Sequence, residues 1–226
     1  MHHIKNSVLI LIPAYNEGKV IRAVICSIQK EGWKNILVVD DGSSDESYKE
    51  ATATGIKVLR HILNRGKGAA IKTGLEAAKK AGFNIVVTLD GDGQHNPKNI
   101  KNMVDLIEKG HDVVLGIRDF KKRHIPRYKA FANYLGNGIT WILYGLWVND
   151  SQSGFRAYNK RALNLIQTNN DRYEFESEIV REIARHHLKW TEKIVDVRYS
   201  DYDQNKKNKQ SIGSAVKTII RLALFE

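Results

Sequence analysis

The stretch Val86-Val87-Thr88-Leu89-Asp90-Gly91-Asp92-Gly93-Gln94-His95 decides how the rest of the sequence is interpreted. Its first four residues are apolar or β-branched and predict a buried strand. The strand ends in two carboxylates one residue apart, followed by a carboxamide and an imidazole. Oxygen ligands grouped at a strand end suit a hard divalent cation such as Mg2+ or Mn2+, which also binds substrate phosphates. A polar turn after a core strand is the alternative, and both interpretations fit this stretch taken alone.

The composition is that of a globular chain with a strong positive charge. The 226 residues include 42% hydrophobic residues, and the formal net charge is +11. Such a charge suits nucleic acid, an anionic membrane or anionic small substrates. The sequence contains no helix-turn-helix, zinc-finger or RNP-like pattern, so we predict no binding to nucleic acid. The single cysteine, Cys26, excludes an intramolecular disulfide and indicates a reducing compartment.

Apolar runs that predict strands alternate with segments that have helical spacing. The predicted strands are residues 8–12, 36–39, 57–60, 85–89 and 112–115, and the predicted helices are residues 17–30, 66–81 and 97–108. This order predicts an α/β fold with a doubly wound, mostly parallel sheet and right-handed crossovers. Ligands bind beyond the carboxyl ends of the strands in such sheets. Because Asp40-Asp41 and Asp90-Gly91-Asp92 both follow predicted strands, we expect them to meet at one crevice.

The pattern changes after residue 117. Residues 128–147 predict a long helix that carries Trp141, Tyr144 and Trp147. We favour a helix that covers the edge of the sheet, and the alternative is an interfacial helix whose aromatic rings lie among lipid headgroups. The remaining predicted elements are a turn and short strand at residues 153–158, a helix at 174–187, a strand at 194–197 and an amphipathic helix at 212–225. No apolar stretch reaches the roughly 18 residues that a membrane span requires.

Five motifs occur in order along the chain. They are Pro13-Ala14-Tyr15-Asn16-Glu17, Val39-Asp40-Asp41-Gly42-Ser43-Ser44-Asp45, Asn64-Arg65-Gly66-Lys67-Gly68, Asp90-Gly91-Asp92-Gly93-Gln94-His95 and Asp150-Ser151-Gln152-Ser153-Gly154-Phe155-Arg156. Together they resemble a family 2 glycosyltransferase with the Rossmann-like GT-A fold. The resemblance is strongest to the branch that transfers mannose or glucose to dolichyl or polyprenyl phosphate. It implies a GT-A domain over residues 1–200, followed by a basic loop and an amphipathic helix over residues 201–226 that is membrane-proximal or packed on the domain.

The resemblance also implies a site for a nucleoside-diphosphate sugar, in which the sugar is linked to GDP or UDP. The residues that it assigns to this donor are Pro13, Tyr15, Glu17, Val39, Asp41, Lys67, Asp90, Gly91, Asp92 and Gln94. Three of them, Asp90, Asp92 and Gln94, would hold Mg2+ or Mn2+ against the diphosphate. The carboxylate of Asp41 would accept hydrogen bonds from the base or ribose. Lys67 would face an anion at a helix N-terminus, where backbone N–H groups favour negative charge.

Each of these positions also has an ordinary structural interpretation. Pro13 would end a strand, Tyr15 would fill the core and Asp41 would belong to a capping turn. The turn that contains Asp150 and Arg156 is equally open to a structural role. These alternatives remain beside the functional ones at this point.

The implied mechanism is transfer with inversion at the anomeric carbon, with Asp92, Arg118 and Asp150 as its catalytic residues. Negative charge develops on the departing nucleoside diphosphate, which the metal together with Arg118 or Lys67 would stabilise. Arg118 and Arg127 resemble the arginines that bind the acceptor phosphate in this family. A lipid phosphate is already ionised and needs no general base. A hydroxyl acceptor would need one, and Asp150 is the candidate.

Three functions are therefore compared. The first is transfer to a polyprenyl phosphate, the second is transfer to a sugar or protein hydroxyl, and the third is a non-catalytic module that binds nucleotide sugars. Relatives often carry an Arg-x-x-Gly-x-Ser-Lys segment that residues 203–211 do not match, which weakens the first. The metal-ligand motif is intact, which argues against the third. We expect a cytoplasmic protein with peripheral contact to an anionic membrane.

Overall fold

A seven-stranded sheet runs through the part of the chain that the computed structural model describes, which is residues 7–118, 137–138, 141–142, 144–171 and 174–197. The strands are β1 (Val8–Ala14), β2 (Ile36–Asp40), β3 (Lys57–Arg60), β4 (Ile85–Thr88), β5 (Val113–Arg118), β6 (Arg156–Asn159) and β7 (Trp190–Val195). The helices are α1 (Ile21–Lys30), α2 (Ser47–Thr52), α3 (Lys67–Lys80), α4 (Asn99–Glu108), α5 (Lys160–Leu165) and α6 (Glu174–Arg185).

The strand order is β3-β2-β1-β4-β6-β5-β7. Strands β1 to β4 are parallel, β6 is antiparallel to both β4 and β5, and β7 is parallel to β5. The sheet is therefore mostly parallel, as the alternation of strands and helices predicted. The short strand β6 was predicted, but its antiparallel direction was not, because a single short strand carries no sign of its direction in its own sequence.

Both faces of the sheet are covered, and β1 shows this most clearly because all seven of its residues are buried. Alternate side chains of β1 point to opposite faces. Ile10 and Ile12 pack in the layer that contains α1 and α4, whereas Leu9 and Leu11 pack in the layer that contains α3 and α6. Burial on both faces explains why this strand reads as a continuous apolar run rather than an alternating one.

The differences from the predictions include the bounds of the last strand and the presence of one short helix. The last strand was predicted at residues 194–197 but runs from Trp190 to Val195 at the edge of the sheet. Its first residues are half-buried and partly polar, so they lack the apolar run that the prediction relied on. The short helix α5 was not predicted, and its start is capped by Asn159, whose side chain accepts from the Ala162 N–H at 2.9 Å.

Several predicted segments lie wholly or partly outside the described residues. The amphipathic helix at 212–225 is one, so the division of the chain near residue 200 stays a prediction. Of the helix predicted at 128–147, only residues 137–138, 141–142 and 144 are described as helical. Within the described ranges no helix is both long and apolar enough to cross a membrane.

Candidate active site

The parallel pairing of β2, β1 and β4 brings three of the five motifs to the same edge of the sheet. Ala14 at the end of β1 lies beside Asp40 at the end of β2. The Asp41 N–H donates to the Ala14 carbonyl at 2.8 Å, and the Leu89 N–H after β4 donates to the Leu11 carbonyl at 3.1 Å. The two acidic stretches therefore flank the first motif, at the carboxyl ends where a ligand is expected in a sheet of this kind.

The first two motifs and the residues that directly follow them hold each other in place. Three backbone N–H groups donate from one to the other: Asn16 to Ser43 Oγ at 2.9 Å, Glu17 to Ser47 Oγ at 2.7 Å and Gly18 to Asp45 Oδ2 at 2.9 Å. The Asn16 side chain accepts in return from the Ser44 N–H at 3.0 Å. Partial burial opposes ionisation of Asp45, but the hydrogen bonds from Ser47 and Gly18 outweigh it and lower the pKa of this carboxyl.

Asp45 also contacts the start of the helix that follows it. Helix α2 begins at Ser47, and the flanking Glu46 makes no side-chain cap bond. Asp45 Oδ1 does accept from the Ser47 N–H at 2.9 Å, so its carboxylate serves both the start of α2 and the first motif.

The Asp41 carboxylate faces the third motif. It is 2% exposed. Its Oδ2 accepts from the Gly66 N–H at 2.7 Å, and its Oδ1 accepts from the Arg65 N–H at 3.1 Å and from His61 Nδ1 at 2.7 Å. The other ring nitrogen of His61 lies 2.9 Å from Thr73 Oγ1 in α3. Asp41 therefore fixes the turn that leads into α3, and its predicted contact with the base and ribose stays a prediction.

The other predicted nucleotide residues differ in accessibility. Pro13 lies in β1, and it pairs in register with Val39 of β2. The Val39 side chain is completely buried in the core, and Glu17 is also buried. Tyr15 is 37% exposed, so its ring does not fill the core. Of these four side chains, Tyr15 is the one that the fold presents most openly to a ligand.

Lys67 lies between two carboxylates that are far apart in the sequence. Its Nζ is 2.7 Å from Asp90 Oδ1 and 3.0 Å from Glu176 Oε1. Burial opposes the charge of Lys67, but the two carboxylates outweigh it and raise the pKa of this ammonium. Burial likewise opposes ionisation of Asp90, but Lys67 and then His95, whose Nε2 is 3.7 Å from Asp90 Oδ2, hold its pKa well below the usual range.

The fifth motif covers this ion pair. The Thr88 hydroxyl at the end of β4 donates to the Gly154 carbonyl at 2.9 Å. A Cβ on Gly154 would lie 2.6 Å from both Asp90 Oδ1 and Lys67 Nζ. Only a glycine allows the backbone to pass so close to the two charged groups.

The residues present suit a divalent cation that takes some of its ligands from the protein and others from a substrate. Asp90 is about a quarter exposed, and Asp92 is half-buried with its Oδ1 accepting from the Gln94 N–H at 3.0 Å. In the described part of the chain, no three His, Cys, Asp or Glu side chains are grouped to hold a metal ion by themselves. Mg2+ typically takes one or two carboxylates and completes its shell with water and substrate phosphates. The donor set of Asp90, Asp92 and Gln94 fits that mode.

Arg118 at the end of β5 makes a two-point pair with Asp150. Nε and Nη2 of Arg118 donate to the two carboxylate oxygens at 2.7 and 2.8 Å, and the Arg118 N–H adds a bond of 3.1 Å. Asp150 is 1% exposed. Asn137 supports the same turn, because its Oδ1 accepts from the N–H and the hydroxyl of Ser151. Asp150 therefore orients the guanidinium, while Arg127 lies outside the described residues.

Arg156 has a structural function. This buried side chain donates to the carbonyls of Ser151 at 2.7 Å, Ser153 at 2.9 Å and Glu176 at 3.1 Å. It thereby ties the fifth motif to the start of α6 and places Glu176 beside Lys67.

Two residues of this arrangement, Glu176 and His61, were not predicted. The apolar side of α6 includes Phe175 and Ile179. Glu176 follows Phe175 in the sequence and therefore lies next to that apolar side. This position could have indicated a buried ion pair, because a carboxylate is rarely buried without a partner. No comparable signal existed for His61, whose partners lie 20 and 12 residues away.

Comparison with known proteins agrees with this geometry. Residues 9–166 match the family model for glycosyl transferase family 2. The chain is 33% identical to the UDP-N-acetylglucosamine–dolichyl-phosphate N-acetylglucosaminyltransferase of Methanococcus voltae, over 97% of this chain and 96% of that protein. It is 25% identical to the undecaprenyl-phosphate mannosyltransferase of Micrococcus luteus, over 96% of this chain and 94% of that protein.

A solved structure shares the fold. It is the glucosyl-3-phosphoglycerate synthase of Mycobacterium tuberculosis, crystallised with Mn2+, uridine diphosphate and phosphoglyceric acid. The TM-score is 0.72 at 20% identity, with 99% of this chain and 81% of that chain covered. Similarity at this level of identity concerns the fold, and it confirms the predicted GT-A architecture.

Replacing Asp41 by alanine should lower stability as well as nucleotide affinity. The substitution leaves the N–H groups of Arg65 and Gly66 without their acceptor in two part-buried hydrogen bonds, at a cost of about 1–3 kcal/mol. We would measure the free energy of unfolding with urea and the affinity for UDP and GDP by calorimetry. The control is Asp105→Ala, which removes only an exposed pair with Lys101 and should cost less than about 1 kcal/mol. Equal stability of the two variants would contradict the role assigned to Asp41.

Replacing Asp92 by asparagine should abolish the Mn2+ dependence of UDP binding. Asparagine keeps the oxygen that accepts from the Gln94 N–H but loses the charge that a metal requires. Asp90→Asn is the comparison, because it also weakens the pair with Lys67 and should lower Tm. Calorimetric titration of UDP with and without Mn2+ measures the first effect. If Asp92→Asn retains normal Mn2+-dependent binding, Asp92 is not a metal ligand.

Proposed function

The chain belongs to glycosyl transferase family 2, and we propose that it transfers a sugar from a nucleoside-diphosphate sugar to a polyprenyl phosphate with inversion at the anomeric carbon. The glycosyltransferase activity follows from the family. The acceptor, the donor and the use of a metal are the parts that we propose. The single observation that carries the choice of acceptor is the pairing of Asp150 with Arg118.

A hydroxyl acceptor requires a base with an accessible oxygen near the acceptor. Asp150 was the candidate, but both its oxygens accept from Arg118 and it is almost completely buried. A polyprenyl phosphate brings an ionised oxygen and needs no base. The same pair holds a guanidinium at the end of β5, and guanidinium groups bind phosphate oxygens at two points. The arrangement thus supports the phosphate acceptor over the hydroxyl.

The names of the relatives support the same acceptor. The relatives from Methanococcus voltae and Micrococcus luteus are named for different sugars, N-acetylglucosamine and mannose, but both are named for a polyprenyl-type phosphate. We therefore propose the acceptor class from this agreement and leave mannose, glucose and N-acetylglucosamine as donor sugars to be compared. UDP-N-acetylglucosamine is the first donor to test, because the relative from Methanococcus voltae is named for it.

Each part of the proposed reaction has a residue that serves it. Asp90, Asp92 and Gln94 would hold Mg2+ or Mn2+, which when bound neutralises charge on the departing diphosphate. Lys67 supplies a further positive charge at the start of α3, where backbone N–H groups also favour an anion. Arg118 orients the acceptor phosphate for attack on the sugar from the opposite side.

We also propose that the protein works at the cytoplasmic surface of an anionic membrane. Trp141, Ile142 and Trp147 form an aromatic patch whose residues are 51%, 74% and 40% exposed. The two indole rings meet edge to face at 6.4 Å. Trp147 Nε1 donates to Asn149 Oδ1 at 3.4 Å, and Asn149 precedes the residue that holds Arg118. Indole rings suit the headgroup region of a bilayer, so the patch supports an acceptor that approaches from a membrane.

Transfer should require the phosphate of the acceptor. With UDP-N-acetylglucosamine, GDP-mannose or UDP-glucose as radiolabelled donor, we expect product with undecaprenyl or dolichyl phosphate and none with the corresponding free polyprenol. Arg118→Lys should raise the apparent KM for the lipid phosphate by roughly tenfold, because the charge remains but the two-point geometry is lost. The matched control is Arg161→Lys, which changes an arginine paired with Asp112.

Each alternative function predicts a different result in this transfer assay. Transfer to free polyprenol would overturn the phosphate requirement. Transfer only to a sugar or protein acceptor would favour the second function. Binding of donor with no transfer to any acceptor would favour a non-catalytic module.

Membrane binding should depend on anionic lipid and on the aromatic patch. The protein should co-sediment with phosphatidylglycerol vesicles, should bind phosphatidylcholine vesicles several-fold less, and should be released by salt. Replacing Trp141 and Trp147 by serine should reduce binding several-fold, since the rings would no longer enter the headgroup region. Truncation at residue 210 tests the predicted C-terminal helix separately. Vesicle binding unaffected by the two serine substitutions would show that the patch does not contact lipid.

A further inference from the structure

We propose that the Lys67 ammonium pairs with the Asp90 carboxylate as an internal counter-cation until a divalent cation binds there. Glu176 is then the positioning residue that keeps the displaced ammonium beside the site. This inference rests on the metal role assigned to Asp90 in the proposed function. It gives a function to Glu176, a buried residue to which the reaction itself assigns none.

The contacts of Lys67 show a cation shared between two anions. Lys67 Nζ is 2.7 Å from Asp90 Oδ1 and 3.0 Å from Glu176 Oε1. Asp90 is about a quarter exposed, whereas the Glu176 side chain is 4% exposed. One partner of the ammonium is therefore open to a ligand from solvent and the other is enclosed in the protein.

The Lys67 ammonium cannot keep both carboxylates as partners once a metal binds to Asp90. A divalent cation bound to Asp90 repels the ammonium that contacts the same carboxylate, because like charges at short range oppose each other strongly away from bulk water. Glu176 remains as a partner that the metal does not take. Its second oxygen, Oε2, is buried and has no hydrogen-bond partner among the described residues, so it can accept from the ammonium that leaves Asp90.

The packing around Lys67 keeps Glu176 within its reach. The residues next to the pair, Gly68 in α3 and Phe175 in α6, are so close that a Cβ on Gly68 would lie 2.8 Å from the Phe175 Cβ. Arg156 holds the Glu176 carbonyl at 3.1 Å. The starts of α3 and α6 are thereby fixed against each other, and the ammonium has an anion at a constant position whether or not Asp90 is occupied.

This arrangement has two consequences for the site. The Asp90 carboxylate is never left as an isolated, partly buried negative charge, which would destabilise the unliganded protein. The positive charge that leaves Asp90 also stays next to the metal site, where the diphosphate of the donor would lie. Metal binding would thus turn Lys67 from a partner of Asp90 into a cation directed at the substrate.

The test is Mn2+ binding to the full chain without nucleotide. The affinity is measured by calorimetry, and binding is also detected as the change in Tm on adding Mn2+. Lys67→Met should tighten Mn2+ binding by roughly tenfold, because the competing charge is gone. It should also lower Tm without metal and enlarge the rise in Tm that Mn2+ causes. The matched control is Lys72→Met in the same helix, whose ammonium pairs with Asp171 instead of Asp90. Its Mn2+ affinity should equal that of the unchanged protein.

Glu176→Gln should have the opposite effect. With Glu176 neutral, the ammonium is left with Asp90 as its one anionic partner among the described residues, so we expect Mn2+ binding to weaken roughly fivefold. The control is Glu178→Gln on the same helix. Glu178 is buried but accepts from the N–H groups of Asn169 and Asn170. Its replacement should lower Tm and leave Mn2+ affinity unchanged.

The double variant Lys67→Met/Glu176→Gln separates positioning from direct ligation. If Glu176 acts through Lys67, the double variant binds Mn2+ as tightly as Lys67→Met alone. If Glu176 is itself a metal ligand, its replacement also weakens Mn2+ binding when Lys67 is absent, so the double variant binds more weakly than Lys67→Met, and the proposal is wrong. Unchanged or weaker Mn2+ binding by Lys67→Met also overturns it. These outcomes do not depend on transfer to a lipid phosphate, so failure of the proposed acceptor would be recognised separately.

Discussion

One lysine between two carboxylates holds together parts of the site that are remote in sequence. Lys67 begins α3, Asp90 follows β4 and Glu176 lies in α6, and both carboxylates come within 3.0 Å of the Lys67 ammonium. Charges that are taken out of water are costly unless each has a partner with good geometry. This requirement constrains the starts of two helices and the end of a strand at once. It also places the backbone of Gly154 directly over the pair, where no side chain would fit.

The rest of the site follows the same rule, because its buried polar groups bind one another before any ligand arrives. Asp41 accepts from two N–H groups of the turn before α3, and Asp45 accepts from the loop after β1. Arg156 donates to two backbone carbonyls of the turn at residues 151–153 and to a third at the start of α6. Hydrogen bonds that join several loops to one another make those loops rigid. The loops at the carboxyl edge of the sheet are therefore preorganised, which reduces the entropy lost when a nucleotide sugar binds.

The pairing of Arg118 with Asp150 shows how a structural interaction also limits the chemistry. The buried Asp150 carboxylate uses both oxygens to accept from the guanidinium and thereby fixes its orientation. The described part of the site then has a positioned cation, and Asp150 is too buried to present an oxygen to an unionised acceptor. In the proposed reaction the acceptor supplies its own negative charge, and the protein contributes positive charge and alignment.

The sequence by itself determined the fold class, the approximate limits of most elements and the family, because continuous apolar runs, helical periodicity and five ordered motifs are local or evenly spaced signals. It also identified Lys67, Asp90 and Asp150 as residues of interest. Only the tertiary structure decided which groups meet. The direction of β6, the partnership of Lys67 with Glu176, the link from Asp41 to His61 and the engagement of Asp150 by Arg118 all depend on residues brought together across the sheet. Such contacts leave no pattern in a single sequence, because the distance between their partners along the chain is set by the path of the backbone and has no fixed period.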